Sequence, residues 1–216
     1  MNLFRKRIGM GLVLLAGMLV GGIATATPVT MDFDGLTPLT SVDNYYNGGC
    51  TSGLFLGAGK KCNGTDYGVV WAGANVGMIA NAPSPAGFAG FLFQDSATMN
   101  VVNGFDRGLS FYFYNVSNKV FTGSVGIYSG KNGNGTQLAT AELGATRDWD
   151  FFSLAFSGIA KSVIFTGSPA YFTGFDDVTL GLDAPVHPVP EPAALGVFGL
   201  GLLLMGAFAG LRRRYN

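Results

Sequence analysis

The sequence predicts an all-β protein: an antiparallel β-sandwich, jelly-roll-like, flanked by an N-terminal signal peptide and a C-terminal transmembrane helix. Three observations predict it. Short segments rich in β-branched and aromatic residues recur between turn signals, and no stretch of about 12 residues in the body keeps a helical apolar period. Glycine is frequent, at 34 of 216 residues, with asparagine and proline scattered between the segments. Both ends of the chain are apolar runs bordered by basic residues.

Residues 1–26 read as the signal peptide. Arg5, Lys6 and Arg7 form a positive start, Ile8 to Ile23 carries no charge, and Ala24-Thr25-Ala26 offers the small residues of a cleavage site. Cleavage after Ala26 is expected, with an uncleaved membrane helix as the alternative.

Residues 27–182 form the predicted sandwich, a length that suits one domain. Between Thr27 and His187 the chain holds 7 basic and 12 acidic residues, a net charge near −5. That balance leaves no basic patch to neutralise phosphates, so nucleic-acid binding is excluded from the expected functions. The predicted strands are Val29–Phe33, Gly68–Trp71, Gly87–Phe93, Met99–Val102 and Leu109–Tyr114, followed by Val120–Tyr128, Gln137–Leu143, Phe151–Phe156, Ser162–Thr166 and Phe175–Leu182. Ser129 to Gly135 lies between two of them, and its Asn-Gly pairs supply the positive φ that a tight hairpin demands. The sequons at Asn63, Asn115 and Asn134 are read as turns of the same kind. Within Leu109–Tyr114, alternation turns Leu109, Phe111 and Phe113 to the core and Tyr112 and Tyr114 to the other side. Outward aromatics of this kind either stack on sugar rings or pack against a neighbouring loop.

Cys50 and Cys62 are the only cysteines. In an oxidising compartment they are expected to pair and close the loop Thr51–Lys61, which contributes roughly 3 kcal/mol in the chain-entropy view. A zinc site is a poor rival, because the body lacks the histidines to complete it.

No catalytic residues are predicted. The single histidine, His187, falls in the proline-rich linker 183–189, so no histidine-based triad is available. Asp148 and Asp150 flank Trp149 beside Arg147, which reads as a charged turn. There is no nucleophile elbow, phosphate loop or metalloprotease helix.

The tail, residues 190–214, has three parts: Pro190-Glu191-Pro192, an apolar segment 193–211, and Arg212-Arg213-Arg214. As a helix the 19 apolar positions span about 28 Å, close to a bilayer core of about 30 Å. Arginines beyond it stay on the cytoplasmic side, which places the body outside. Gly206 and Gly210 offer a close-packing face to another helix or to a processing enzyme.

This three-part order resembles the PEP-CTERM sorting signal of Gram-negative bacteria that make exopolysaccharide. The resemblance implies that exosortase, a membrane protease-transpeptidase, recognises Pro190, Glu191, Pro192 and the Arg212–Arg214 cluster and processes the chain there.

Two acidic clusters stand near the ends of the body. Asp32 and Asp34 alternate along the first predicted strand, and Asp176-Asp177 opens the last, in Gly174-Phe175-Asp176-Asp177-Val178-Thr179-Leu180. That last stretch is similar to the closing strand of jelly-roll carbohydrate-binding modules. The resemblance implies that first and last strands lie side by side, with Asp32, Asp34 and Asp177 as ligands of a structural calcium. The residues alone also allow solvated strand-end carboxylates.

The expected protein is non-catalytic and exported. It resides in the inner membrane before processing and afterwards at the cell surface or in the extracellular matrix of a Gram-negative bacterium. Its expected partners are exosortase, the membrane through the tail helix, and extracellular polysaccharide. The alternatives are a calcium-stabilised carbohydrate-binding module and a structural or adhesive biofilm protein that binds no sugar.

Overall fold

The structure, a computed structural model, describes residues 28–54, 59–116 and 123–181. In chain order the strands are β1 (Val29–Met31), β2 (Thr40–Ser41), β3 (Ser52–Gly53), β4 (Val69–Ala72), β5 (Asn75–Gly77), β6 (Phe88–Gly90) and β7 (Ser96–Phe105), then β8 (Gly108–Asn115), β9 (Gly123–Tyr128), β10 (Gln137–Leu143), β11 (Asp150–Ala155), β12 (Ala160–Thr166) and β13 (Thr173–Leu180). They form two antiparallel sheets. The larger has eight strands in the order β11-β8-β13-β6-β5-β2-β3, with β1 also paired to β13; the smaller runs β10-β9-β12-β7-β4.

The period-2 alternation of side chains explains why the sheets face each other. Leu109, Phe111 and Phe113 on β8 and Phe175, Val178 and Leu180 on β13 point inward, as do Val125, Ile127, Val163 and Phe165 of the smaller sheet. Phe111, Phe165 and Phe175 meet at centroid distances of 4.6 to 5.6 Å and knit the sheets together. Each large apolar side chain buried this way stabilises the fold by roughly 1.5–3 kcal/mol.

β1 pairs antiparallel with the far half of β13, Val29 opposite Leu180 and Met31 opposite Val178, so first and last strands do lie side by side. A 3-10 turn over Lys131–Gly133 joins β9 to β10, with Asn132, Gly133 and Gly135 at φ of 56°, 72° and 80°. Cys50 and Cys62 form the disulfide. The Thr51 amide donates to the Lys61 carbonyl at 2.9 Å beside it.

Two expectations need correction here. Asn115 is not a turn residue: it is fully buried at the end of β8. Its Nδ2 donates to the Leu143 carbonyl, its Oδ1 accepts from Thr173 Oγ1, and its backbone amide donates to Thr146 Oγ1. β1 also stops at Met31 rather than Phe33, because Phe33 takes a left-handed φ of 57° and turns the chain. The predicted signal peptide, linker and sorting tail, including Pro190, Glu191, Pro192 and Arg212 to Arg214, lie outside the described residues. Among the described residues no helix is long and apolar enough to cross a membrane.

Candidate functional site

The outer face of the larger sheet is built from an unusual run of side chains. Strand pairing places Tyr114, Gly174 and Gly90 side by side across β8, β13 and β6, and Phe88 beside Gly77 across β6 and β5. Three of these five outward positions are glycine. A Cβ on Gly77 would stand 2.2 Å from the Phe88 ring, and one on Gly174 would stand 2.5 Å from Tyr114 and 2.7 Å from Phe88. On Gly90 it would reach 3.0 Å from both Phe88 and Tyr171. The rings therefore lie on bare backbone, which is what glycine in a strand interior permits.

Phe88 meets Tyr114, Trp149 and Tyr171 edge-on at 5.5, 5.8 and 5.6 Å, and Tyr114 meets Trp149 at 4.6 Å. Above this bed opens a depression of about 390 Å³. Phe88, Tyr114, Tyr171 and Gly77 form its floor, and Pro38, Leu39, Met78 and Ile79 its rim. Leu39 is 42% exposed and Met78 57%, so the rim presents hydrocarbon to solvent. Among the described residues no charged side chain lines it.

The two phenols are committed inside the wall. Tyr114 Oη donates to the Tyr171 carbonyl, and Tyr171 Oη donates to the Val76 carbonyl at 2.9 Å. Burial pushes the Tyr114 hydroxyl well above its ordinary value and Tyr171 up to about 12. Both remain protonated at any physiological pH. The segment between β5 and β6 is tethered at two further points: Asn81 Nδ2 donates to Asp148 Oδ1 at 2.9 Å, and the Ser84 amide donates to Asp176 at 3.1 Å.

Asp32, Asp34 and Asp177 are the candidate calcium ligands. Asp32, Asp34 and Asp177 are not gathered, and among the described residues no three His, Cys, Asp or Glu side chains group to hold a metal ion. Asp32 and Asp34 sit in a turn rather than on a strand face, with the Asp34 amide donating to Asp32 Oδ1 at 3.2 Å and Asp34 Oδ1 accepting from the Gly87 amide at 3.2 Å. Asp177 falls at φ 49° in a register shift of the β13–β8 pairing between Asp176 and Thr179. Asp176 and Asp177 both lie between the stretches of β13 paired to β6 and to β1, and Asp176 is the more enclosed of the two. Asp176 is fully buried, and it accepts from the Asp177 amide at 2.8 Å and the Ser84 hydroxyl at 3.2 Å. Ser84 Oγ stands 3.2 Å from the Asp32 carbonyl as well. Burial pushes the Asp176 carboxyl up to about 8 against the Ser84 amide; the Asp177 charge adds to the rise, while the Asp177 amide and Ser84 hydroxyl oppose it.

Sequence reasoning placed Tyr112 and Tyr114 on the outer side correctly. It missed Phe88, Tyr171 and the glycine bed. The signal was present in Asn75-Val76-Gly77, Phe88-Ala89-Gly90 and Gly174-Phe175, where a strand glycine recurs beside buried residues.

No family model matches the chain, and no curated protein matches it. Solved structures do. A variant of a family 29 carbohydrate-binding module aligns with a TM-score of 0.42 at 11% identity, over 77% of this chain and 100% of that one. A family 29 module from Piromyces equi gives 0.34 at 10%, over 72% and 91%. CsCBM6-3 from Clostridium stercorarium, in complex with cellobiose, gives 0.36 at 13%, over 52% and 85%.

Proposed function

We propose that the chain is an exported, non-catalytic β-sandwich that binds polysaccharide, sorted by exosortase to the surface or matrix of a Gram-negative bacterium. The observation that carries the binding reading is the aromatic-floored, uncharged depression on the larger sheet. A pyranose presents C–H groups on its ring faces; Phe88 and Tyr114 are nearly enclosed beneath the depression, and the half-buried Tyr171 with the exposed Leu39, Met78 and Ile79 offers such a face an apolar contact surface. The Cys50–Cys62 disulfide supports an oxidising compartment, in line with the apolar, basic-flanked ends of the sequence.

Native affinity electrophoresis tests the binding half. The purified protein should be retarded in gels containing a neutral polysaccharide, and Met78→Asp should release it by placing a charge on the rim. Equal mobility of both proteins in every polysaccharide would sink the reading. For the sorting half, deleting Pro190-Glu191-Pro192 should leave an unprocessed, membrane-held form in the native host. Unchanged size and location would remove exosortase from the account.

A further inference from the structure

We infer that the depression receives a methyl group borne on a neutral pyranose, either of an O-acetyl ester or at C6 of a 6-deoxy sugar. The inference rests on the polysaccharide-binding reading and names the ligand class for that same site. A fully hydroxylated sugar needs a partner for each hydroxyl it buries, and a hydroxyl buried without one is costly. This lining has few to give. The Tyr114 proton goes to the Tyr171 carbonyl and the Tyr171 proton to the Val76 carbonyl, so both phenols can only accept. The side chains of Leu39, Met78 and Ile79 at the rim carry no hydrogen-bonding donor, and the Leu39 amide is already given to the Val76 carbonyl. Such a wall accepts hydrocarbon, and a methyl substituent is the compact hydrocarbon that a sugar residue offers.

Charge narrows the class further. Among the described residues no cation lines the depression, and the body is net negative, near −5. Uronates, pyruvyl ketals and lactyl ethers bring a carboxylate that would go unpaired there, so the preferred residue is uncharged. A volume of about 390 Å³ is at the small end for ligand sites and suits one substituted sugar unit.

The rim shows the same preference in its backbone. Leu39 holds a left-handed φ of 59°, where glycine or asparagine would sit with less strain. Its amide donates to the Val76 carbonyl at 3.0 Å, and its carbonyl accepts from the Leu54 amide at 3.4 Å, so the strained conformation is fixed from both sides. An isobutyl side chain is held at the mouth against local backbone preference.

Calorimetric titration of the purified protein against two matched pairs tests this. One pair is acetylated glucomannan and the same polymer after mild alkaline de-O-acetylation; the other is L-rhamnose and L-mannose, which differ only at C6. The methyl-bearing member of at least one pair should bind about tenfold tighter or more, and the pair that shows it identifies the source of the methyl. Leu39→Asn should melt no lower than the parent, because asparagine tolerates the left-handed region, yet its preference should shrink to within about threefold. Equal affinity within both pairs, tighter binding of the hydroxylated members, or full preference retained by Leu39→Asn overturns the inference while leaving polysaccharide binding intact. Binding to none of the four ligands overturns both.

Discussion

The two outward faces of the sandwich share one core and differ in how their surfaces are finished. On the smaller sheet the outward side chains mix apolar Val70, Val102 and Ile164 with polar residues that are hydrogen-bonded in place. Ser124 and Thr166 are linked at 2.7 Å, Asn100 and Asn132 exchange two bonds of 2.8 Å, and Thr140 Oγ1 donates to the Val125 carbonyl. The result is a face with its hydrogen bonding satisfied in place. On the larger sheet three neighbouring strands put glycine outward at 77, 90 and 174, and rings settle onto the exposed backbone. The contrast teaches that a recess on a β-sheet is made by removing side chains. Aromatic residues alone do not make one: the smaller sheet has Tyr128 lying over Gly126, yet no neighbouring strand repeats the glycine.

The strongest perturbation of this contrast is Gly174→Val. Its Cβ would collide with Tyr114 and Phe88, both nearly enclosed, so the fold should lose about 3 kcal/mol or more in denaturant titration and the depression with it. Asn115→Ala comes next. It strips the side chain that links Leu143 and Thr173, leaving buried polar groups unpaired, and should cost about 2–3 kcal/mol by the same measurement.

A third prediction concerns pH. Asp176 is raised from its ordinary 3.8 to about 8 in the folded protein, so the native state holds a proton that the unfolded chain releases. Stability from this group is complete below about pH 4, falls as pH rises, and levels off above about pH 8, with a slope of at most about 1.4 kcal/mol per pH unit. Thermal melts from pH 4 to 9 should show the decline, and Asp176→Asn should flatten it. At the smallest end, Gly126→Ala on the smaller sheet should change stability by within about 1 kcal/mol. Its Cβ meets only the half-buried Tyr128 ring, which can swing aside.

The sandwich was legible in the sequence because its long strands alternate. Each of the ten predicted segments overlaps a strand, and the inward set Leu109, Phe111 and Phe113 was read correctly from period 2 alone. β2, β3 and β5 were missed because two or three residues are too few to show a period. The site was less legible, for two physical reasons. Glycine leaves no side chain to count, so the bed under Phe88 is visible only once strand register brings positions 77, 90 and 174 together. The bulge at Asp176–Asp177 exchanged which carboxylate is enclosed, and period-2 reasoning has no means of placing an extra residue.

Hydrogen exchange with and without bound polysaccharide compares the two faces most directly. Slowed exchange should appear around Leu39, at Val76 to Ile79 and at Tyr171, while Asn100, Tyr128 and Ile164 on the smaller sheet exchange as before. Protection confined to the smaller sheet, with the depression unaffected, would contradict the assignment of the ligand to the glycine-floored face.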